Sequence, residues 1–201
     1  PQGGNTGLVG GSVPGPHDPP MMIMSTRRLN TLGEVDQLTG QVTVGSGATL
    51  ASVHAHVNAA GWNYGVDLAS RESCTIGGNI GTNAGGIRVC CYGMTRKQIV
   101  GIEVVLPDGS VMSNLSGLIK DNTGYSFPSL FTGSEGTLGI VTAARLALVK
   151  PPRASAVALI GVQSAAHALS IVNSAVPAGS RLLAAEILDA PLLELIAHGA
   201  Q

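Results

Sequence analysis

Charged side chains are scarce in this sequence. Asp, Glu, Lys and Arg make up 11% of its 201 residues, against about 25% in an ordinary soluble domain. The net charge is −1 and no cluster of Lys and Arg stands out, which argues against a surface that binds nucleic acid or anionic membranes. So little charge indicates that a bound cofactor, a partner subunit or further chain covers part of the surface.

Disulfide and secretory features are also missing. The three cysteines, Cys74, Cys90 and Cys91, are an odd number without a framework spacing, which favours a reducing compartment. We therefore expect a cytoplasmic protein, with an organelle matrix or peripheral membrane association left open. Residues 154–180 are nearly free of charge but contain Gln163, Asn173 and Pro177. They are a poor match to a membrane span, which needs about 20 predominantly apolar residues.

The glycine content changes near Lys150-Pro151-Pro152, where we place a domain boundary between residues 1–150 and 151–201. The second part has a β-α-β-α pattern, with strands at 157–162 and 182–188 and helices at 164–175 and 190–198. The chain starts at Pro1 without a Met and ends in a helical pattern. We therefore expect a piece of a longer protein, truncated in its second domain.

The first part alternates short strands with loops. Thr49 is expected to cap a helix with apolar positions Leu50, Val53 and Val57, which Gly61 stops. The strand patterns are Met21–Met24, a more polar stretch over Leu29–Asp36, Gln41–Val44, Ile99–Leu106, a return strand from Val111 and Ile140–Val149.

Glycine is abundant, 28 of 201 residues, and much of it lies in three tracts. The first tract is GGNTGLVGG (3–11), the second is CTIGGNIGTNAGG (74–86) and the third is GSEGTLGIVT (133–142). Glycine lets backbone N–H groups approach an anion closely, and adjacent N–H groups form an anion-binding concavity. None of the tracts contains Lys or Arg, so a diphosphate would be held mainly by backbone and hydroxyl donors.

Simpler explanations and other nucleotide motifs must be weighed against this one. A single Gly-rich loop is more often a plain turn, but three long tracts in one domain favour a ligand. The Walker A motif and the strict G-x-G-x-x-G fingerprint are both absent. Gly45-Ser46-Gly47 follows a strand, but the sixth position of that run is Leu50, which disfavours a Rossmann domain.

Four motifs occur in order along the chain: PQGGNTGLVGG, SCTIGGNIGTNAGG, YGMTR with GIEVVLPDG, and KDNTGYSFPSLFTGSEGTLGIVT. Together they closely resemble the FAD-binding domain of the vanillyl-alcohol-oxidase-type (PCMH-type) flavoproteins. The nearest group is the D-2-hydroxyglutarate, D-lactate and glycolate dehydrogenases. Asp67-Leu68-Ala69-Ser70 and Lys120–Tyr125 look more like the D-2-hydroxyglutarate branch. Cys90-Cys91 departs from the pattern, because relatives usually carry Arg or Lys before the Tyr-Gly pair.

The resemblance implies an α+β fold: two α/β FAD subdomains, the first mostly parallel and lacking its first βαβ unit before Pro1, and the second with an antiparallel sheet. Residues 151–201 would open a ferredoxin-like α+β substrate domain. It also implies that the first tract holds the FAD diphosphate, the second lines the diphosphate and flavin, and the third lies near the ribose and adenine. The implied FAD-binding residues are Gly3, Gly4, Asn5, Thr6, Gly7, Cys74, Thr75, Gly77, Gly78, Asn79, Asn83, Gly85, Glu135, Gly136 and Ile140.

The implied reaction oxidises a small D-2-hydroxyacid to the 2-oxoacid by hydride transfer to flavin. It needs a base, a cation for the carboxylate and, in relatives, metal-ligating His and Glu; these groups are expected beyond Gln201. We expect no metal site within this chain, because the spacing of its five His fits no ligand motif, and they are expected to be surface or boundary residues. A homodimer is possible in this family, and the sequence does not identify the electron acceptor.

Several alternatives stay open at this point. Glu135 is either a catalytic carboxylate or a structural or ribose-binding residue, with the second favoured. Cys74 is either a redox thiol or a small residue packed near the cofactor, and the second is favoured because no neighbouring charge activates it. The whole protein is alternatively a reductase on the same flavin scaffold, of the enolpyruvyl-sugar type, or an FAD-binding module without chemistry.

Overall fold

The computed structural model describes residues 1–175 and 181–199. Its strands are β1 (Gln41–Gly45), β2 (Asn63–Tyr64), β3 (Ile99–Val105), β4 (Val111–Asn114) and β5 (Ile140–Val149). Its helices are α1 (Leu50–Ala59), α2 (Ile76–Gly81), α3 (Val89–Tyr92), α4 (Phe127–Phe131), α5 (Ala165–Ala175) and α6 (Ala190–Gly199), with a 3-10 turn at Thr95–Gln98.

The strands form an antiparallel sheet in the order β1-β5-β3-β4, with β2 also paired to β5. Every second residue along the later part of β5 is buried, at Ala144, Leu146 and Leu148. This alternation turns one face of the sheet inward. The helix α2 lies against β5 and β1, and α1 lies against β2, so the helices cover the buried face.

The first helix forms as its sequence predicts. The Thr49 hydroxyl accepts a hydrogen bond from the backbone N–H of Ser52 at 3.1 Å, which satisfies one free donor of the first turn. Leu50, Val53 and Val57 are fully buried, and Gly61 follows the helix with a φ of +80°. The apolar spacing of this helix therefore supplies one wall of the core.

Most strand predictions for residues 41–150 are confirmed: β1, the β3–β4 hairpin and β5 form at the expected places. The helix predictions for 164–175 and 190–198 are also confirmed. Two helices were not predicted: α2 lies inside the second Gly-rich tract, and α4 lies just before the third. The expectation of an α+β domain with an antiparallel sheet agrees with this architecture.

Three strand predictions are wrong. Met21–Met24 is extended but has no regular partner strand; only a parallel bridge between Gln2 and Ser25 forms beside it. Residues 157–162 and 182–188 are not strands either. Val157 and Leu159 are almost fully exposed, because no strand of the described residues runs alongside to pair with them. The stretch 29–36 follows β1 through isolated bridges at Leu32 and Asp36 without becoming a regular strand.

The far end of the sheet is closed by the sequence's one tryptophan. Trp62 is buried and donates from Nε1 to the Gln37 side chain at 2.8 Å. The Lys150 ammonium lies 3.4 Å from the centre of the indole ring, a cation–π contact. No helix among the described residues is long and apolar enough to cross a membrane; Pro177, from the uncharged stretch 154–180, lies outside those residues.

Candidate cofactor site

The first tract packs directly on the start of the second. A Cβ built on Gly4 would lie 1.9 Å from the Ser73 carbonyl oxygen, and one on Gly3 would lie 2.2 Å from the Thr75 hydroxyl. A side chain at Gly4 would require a backbone shift, and one at Gly3 would require the Thr75 hydroxyl to move. The two glycines therefore bring the first tract against the segment that leads into α2.

Beyond this contact, the first tract exposes a row of free donors. In the described part of the chain, none of the backbone N–H groups of residues 3–9 donates to a protein acceptor. Asn5 and Gly7 are exposed, while Gly3, Gly4 and Thr6 are half-buried. Unpaired amides in a continuous loop can bind an anion such as a phosphate group.

The second tract is ordered by its own short helix. The Thr75 hydroxyl accepts from the Gly78 N–H at 3.4 Å, and the Gly77 N–H donates to the Ser46 carbonyl oxygen at 2.7 Å. Gly78 is exposed, and a Cβ there would meet only the Thr75 hydroxyl, at 3.4 Å. The outer surface of α2 at Gly78 is therefore open to a ligand.

Two residues predicted to line the cofactor face the interior instead. Cys74 is 2% exposed and Asn79 is 4% exposed. The Asn79 amide donates to the Cys74 sulfur at 3.7 Å. Their side chains form the base beneath α2, so any contact with a ligand on its outer surface passes through neighbouring backbone.

The third tract joins the second through backbone hydrogen bonds. The Gly133 N–H donates to the Ile80 carbonyl oxygen, and the Glu135 N–H donates to the Gly81 carbonyl oxygen, both at 2.9 Å. A Cβ on Gly136 would lie 3.1 Å from the Pro1 ring, so Pro1, two residues before the first tract, also meets the third tract. All three tracts thus meet at α2, as the sequence interpretation requires.

Each tract contains one non-glycine residue with a left-handed backbone. They are Asn5 (φ 53°), Asn83 (φ 48°) and Glu135 (φ 51°). This conformation is uncommon outside glycine, and such residues cluster at ligand-binding sites. A Cβ on Gly11 would lie 3.6 Å from the Glu135 carboxylate, which places this acid at the junction between the first and third tracts.

The remaining predicted residues lie at the margins. A Cβ on Gly85 would lie 2.8 Å from Val89 in α3, so this glycine allows α3 to pack on the end of the second tract. Ile140 begins β5 and pairs with Val105 in β3. Ile140 therefore belongs to the sheet that carries the third tract.

A cleft of about 480 Å³ opens beside the contact between the first two tracts. Of the residues predicted for the site, it is lined by Thr75 alone. Its charged lining residues, Arg27 and Glu72, were not predicted, because neither lies in a Gly-rich run. Ser73, whose carbonyl meets Gly4, lines the cleft too, so the cleft adjoins the tracts.

Charged groups gather behind the second tract. Asp67 is buried and pairs with Arg71 at 2.8 Å and with Arg88 at 3.0 Å. His54, on α1, is also buried and donates to the Val66 carbonyl oxygen at 2.9 Å. Burial lowers the pKa of His54 below its usual value, although the Val66 carbonyl and Asp67 oppose the change. The expectation that all histidines are surface or boundary residues is wrong for His54.

The groups that meet around α2 are mainly hydrogen-bond donors. The described residues contain no group of three or more His, Cys, Asp and Glu side chains positioned for a metal ion. The donors that converge are backbone amides and the hydroxyl and amide side chains between them. This donor set fits a phosphate-containing ligand laid across α2 and contacted by all three tracts.

The sequence profile of a family described as "FAD binding domain" matches residues 1–113. The chain is 43% identical over 202 residues to D-2-hydroxyglutarate dehydrogenase of Xanthomonas citri pv. viticola, covering 100% of the chain and 42% of the relative. It is 41% identical over 197 residues to the mitochondrial D-2-hydroxyglutarate dehydrogenase of Danio rerio, covering 98% of the chain and 36% of that relative. The chain thus spans about two fifths of the length of these relatives.

Among solved structures, alkyldihydroxyacetonephosphate synthase is similar over 76% of this chain and 26% of its own chain. The TM-score is 0.64 and the sequence identity is 27%. This likeness covers most of the described residues.

Proposed function

Because the chain belongs to the FAD-binding domain family, we propose that it is the cofactor-holding part of an FAD-dependent dehydrogenase that oxidises a D-2-hydroxyacid, of the D-2-hydroxyglutarate type, to the 2-oxoacid. The observation that carries the proposal is the meeting of all three Gly-rich tracts at α2. The relatives that match nearly the whole chain are D-2-hydroxyglutarate dehydrogenases, which supports the substrate class.

The FAD diphosphate fits the donor set of this site. The unpaired backbone amides of residues 3–9 supply hydrogen-bond donors for the phosphates. The three tracts contain no Lys or Arg that would neutralise the phosphate charge. Amide and hydroxyl donors in a fixed loop suit a cofactor that stays bound between turnovers. When bound, FAD supplies the acceptor for the hydride that leaves C2 of the hydroxyacid as its hydroxyl proton goes to a base.

We assign three roles to the predicted residues. Gly3 to Gly7 bind the diphosphate, the exposed surface of α2 at Gly78 carries the diphosphate and flavin side, and Glu135 and Gly136 lie near the ribose. Cys74 and Asn79 support α2 from the core rather than touching the cofactor through their side chains.

The reacting groups for substrate are proposed to lie outside this chain, in the part of the relatives that the chain does not span. Residues 151–201 are proposed to open that substrate domain. The whole protein is proposed to act in the cytoplasm or an organelle matrix, and to assemble as a homodimer.

The first test is whether the purified protein binds FAD and how Gly78→Ala changes it. Alanine at Gly78 meets only an ordinary contact and improves helix propensity by about 1 kcal/mol. We therefore expect unchanged or higher thermal stability but about tenfold weaker FAD binding, because the Cβ covers the amide surface of α2.

Flavin fluorescence titration measures the affinity, and calorimetry the stability. If the longer protein from which this chain is expected to come takes up no FAD, the proposal is overturned, and unchanged affinity in Gly78→Ala removes the α2 assignment. For the reaction, D-2-hydroxyglutarate added without oxygen to the longer protein should bleach its visible flavin band. A flavin that stays oxidised with every 2-hydroxyacid tried would instead favour an FAD-binding module without this chemistry.

A further inference from the structure

Arg96, in the 3-10 turn before β3, reaches across to the third tract. Its guanidinium donates to two backbone carbonyl oxygens, those of Ser129 and Thr132, through two different nitrogens. Both acceptors belong to the end of α4, which leads directly into Gly133. Arginine presents its donors as a planar fork, so one side chain fixes two carbonyls at once.

The same residue is tied to the second tract through its backbone. The Arg96 N–H donates to the Asn83 side-chain oxygen at 3.0 Å, and Asn83 has the left-handed backbone described above. A Cβ on Gly133 would lie 3.2 Å from the guanidinium and 3.6 Å from Asn83. Arg96 therefore contacts the second tract with its backbone and the third tract with its side chain.

Among the described residues, Arg96 forms no ion pair with a carboxylate. Among ion pairs of the described residues, the arginines involved are Arg71, Arg88 and Arg145. Arg96 itself is exposed, but Thr132, one of its two acceptor residues, is buried, so replacing Arg96 leaves the Thr132 carbonyl oxygen without this donor. Its hydrogen bonds act on the spacing of two loops rather than on the core.

We propose that Arg96 is a positioning residue that holds the third tract against the second, so that the surface for FAD is formed before the cofactor arrives. The inference rests on the proposed function and adds a residue from outside the three tracts to it. A loop that must be ordered on binding lowers affinity, whereas a preformed loop does not.

The test compares Arg96→Gln with Lys97→Gln. Lys97 is the next residue in the same turn; it is also exposed, and no side-chain hydrogen bond to the third tract is formed by it in the described residues. Both variants lose one positive charge, but only Arg96→Gln loses the two hydrogen bonds from the guanidinium to the Ser129 and Thr132 carbonyls. We expect FAD binding about tenfold weaker in Arg96→Gln and within about twofold of wild type in Lys97→Gln; the melting temperature should fall modestly in Arg96→Gln, because the Thr132 carbonyl loses a donor, and stay unchanged in Lys97→Gln.

A second measurement does not depend on FAD. Hydrogen exchange of the ligand-free protein should become faster at the Gly133 and Glu135 amides in Arg96→Gln, since these donate to the second tract. Arg96→Lys keeps the charge but has one nitrogen, so it should restore neither property fully. Unchanged exchange and affinity in Arg96→Gln, or full rescue by lysine, overturns the inference.

The two proposals fail in different ways. If the longer wild-type protein binds no FAD, the proposed function is overturned, and faster exchange in Arg96→Gln alone still supports the link between the tracts. If wild type binds FAD and Arg96→Gln matches it in affinity and exchange, only the role of Arg96 is lost.

Discussion

At the scale of single residues, the glycines of the first tract do two different jobs. A Cβ at Gly4 would collide with the Ser73 carbonyl, but a Cβ at Gly7 would find only the Ser12 hydroxyl, at 3.7 Å. Gly4 is therefore needed for the packing of one tract on another. Gly7 is free of such a contact, so only a ligand would restrict its size.

Alanine at these two positions separates packing from binding. Gly4→Ala should destabilise the ligand-free protein by about 1–3 kcal/mol, the usual cost of overpacking. Gly7→Ala should leave that stability unchanged within about 0.5 kcal/mol and weaken FAD binding. Urea unfolding without FAD and flavin titration measure the two effects. Equal stability of the two variants would mean that the close contact at Gly4 is relieved by a small shift.

The glycine content indicated this candidate site from the sequence, but it did not indicate which way the side chains of its residues point. The sequence leads one to expect that a side chain on Gly4 would block the cofactor, whereas the structure points it at Ser73. Cys74 and Asn79 were predicted to line the cofactor, yet their side chains face the core. Packing of α2 against β1 and β5 decides which of its side chains are buried. An irregular Gly-rich run has no apolar periodicity from which the buried side could be predicted.

At the scale of elements, α1 carries a buried titratable group. His54 donates to the Val66 carbonyl and lies near Asp67, Arg71 and Arg88. Because burial lowers its pKa, the folded protein binds a proton at His54 less readily than the unfolded chain does. Stability therefore falls as the pH drops below the ordinary histidine value of about 6.5, and the loss is complete below the folded-state pKa.

His54→Gln should reduce this pH dependence. Glutamine can offer an N–H near the position of the histidine Nε2 but does not titrate, so the fall in melting temperature between about pH 7 and pH 5 should become smaller. His17→Gln, at an exposed site, is the matched control and should behave as wild type. An unaltered profile in His54→Gln would show that another group sets the acid sensitivity.

Elements with a clear period were predictable, and those without one were not. The spacing of Leu50, Val53 and Val57 gave α1, and the long β-branched runs gave β3 and β5. The apolar runs at 157–162 and 182–188 have the same local character, but a strand needs a neighbour to pair with. Local sequence cannot report whether that neighbour is present.

At the scale of the whole molecule, the buried core ends where β5 ends. The last buried apolar residue of the described chain is Leu148. Residues 151–175 and 181–199 add helices that are largely exposed and contact the rest at a few points, such as the Cys90 thiol donating to the Leu183 carbonyl oxygen at 3.3 Å. The buried core of the described residues is therefore formed without them.

Ending the chain after Arg153 should then leave the molecule nearly as stable. We expect a melting temperature within about 4 °C of the longer chain, which corresponds to about 1 kcal/mol or a little more at this size, and unchanged FAD affinity. Lys150 is retained to keep its contact with Trp62. A much larger fall, or loss of FAD binding, would contradict the boundary near Lys150-Pro151-Pro152.

Long-range contacts were the least predictable part of the site. Arg96 is separated from Ser129 and Thr132 by 33 and 36 residues, and nothing in its surroundings resembles a ligand motif. The sequence located the three tracts because each is unusual in composition. It missed Arg96 because one arginine in a short turn is ordinary until the fold brings α4 beside it.

The position of Trp62 gives this protein a built-in optical probe. The sequence contains no second indole, so ultraviolet emission excited at tryptophan comes from one site, which is shielded by Gly40 and Lys150 at the closed end of the sheet. The wavelength of the Trp62 emission therefore reports the opening of that end of the sheet to solvent. A fall in Trp62 emission intensity when FAD is added, without a shift in emission wavelength, would be energy transfer to the flavin. Its size would then measure the distance from Trp62 to the flavin.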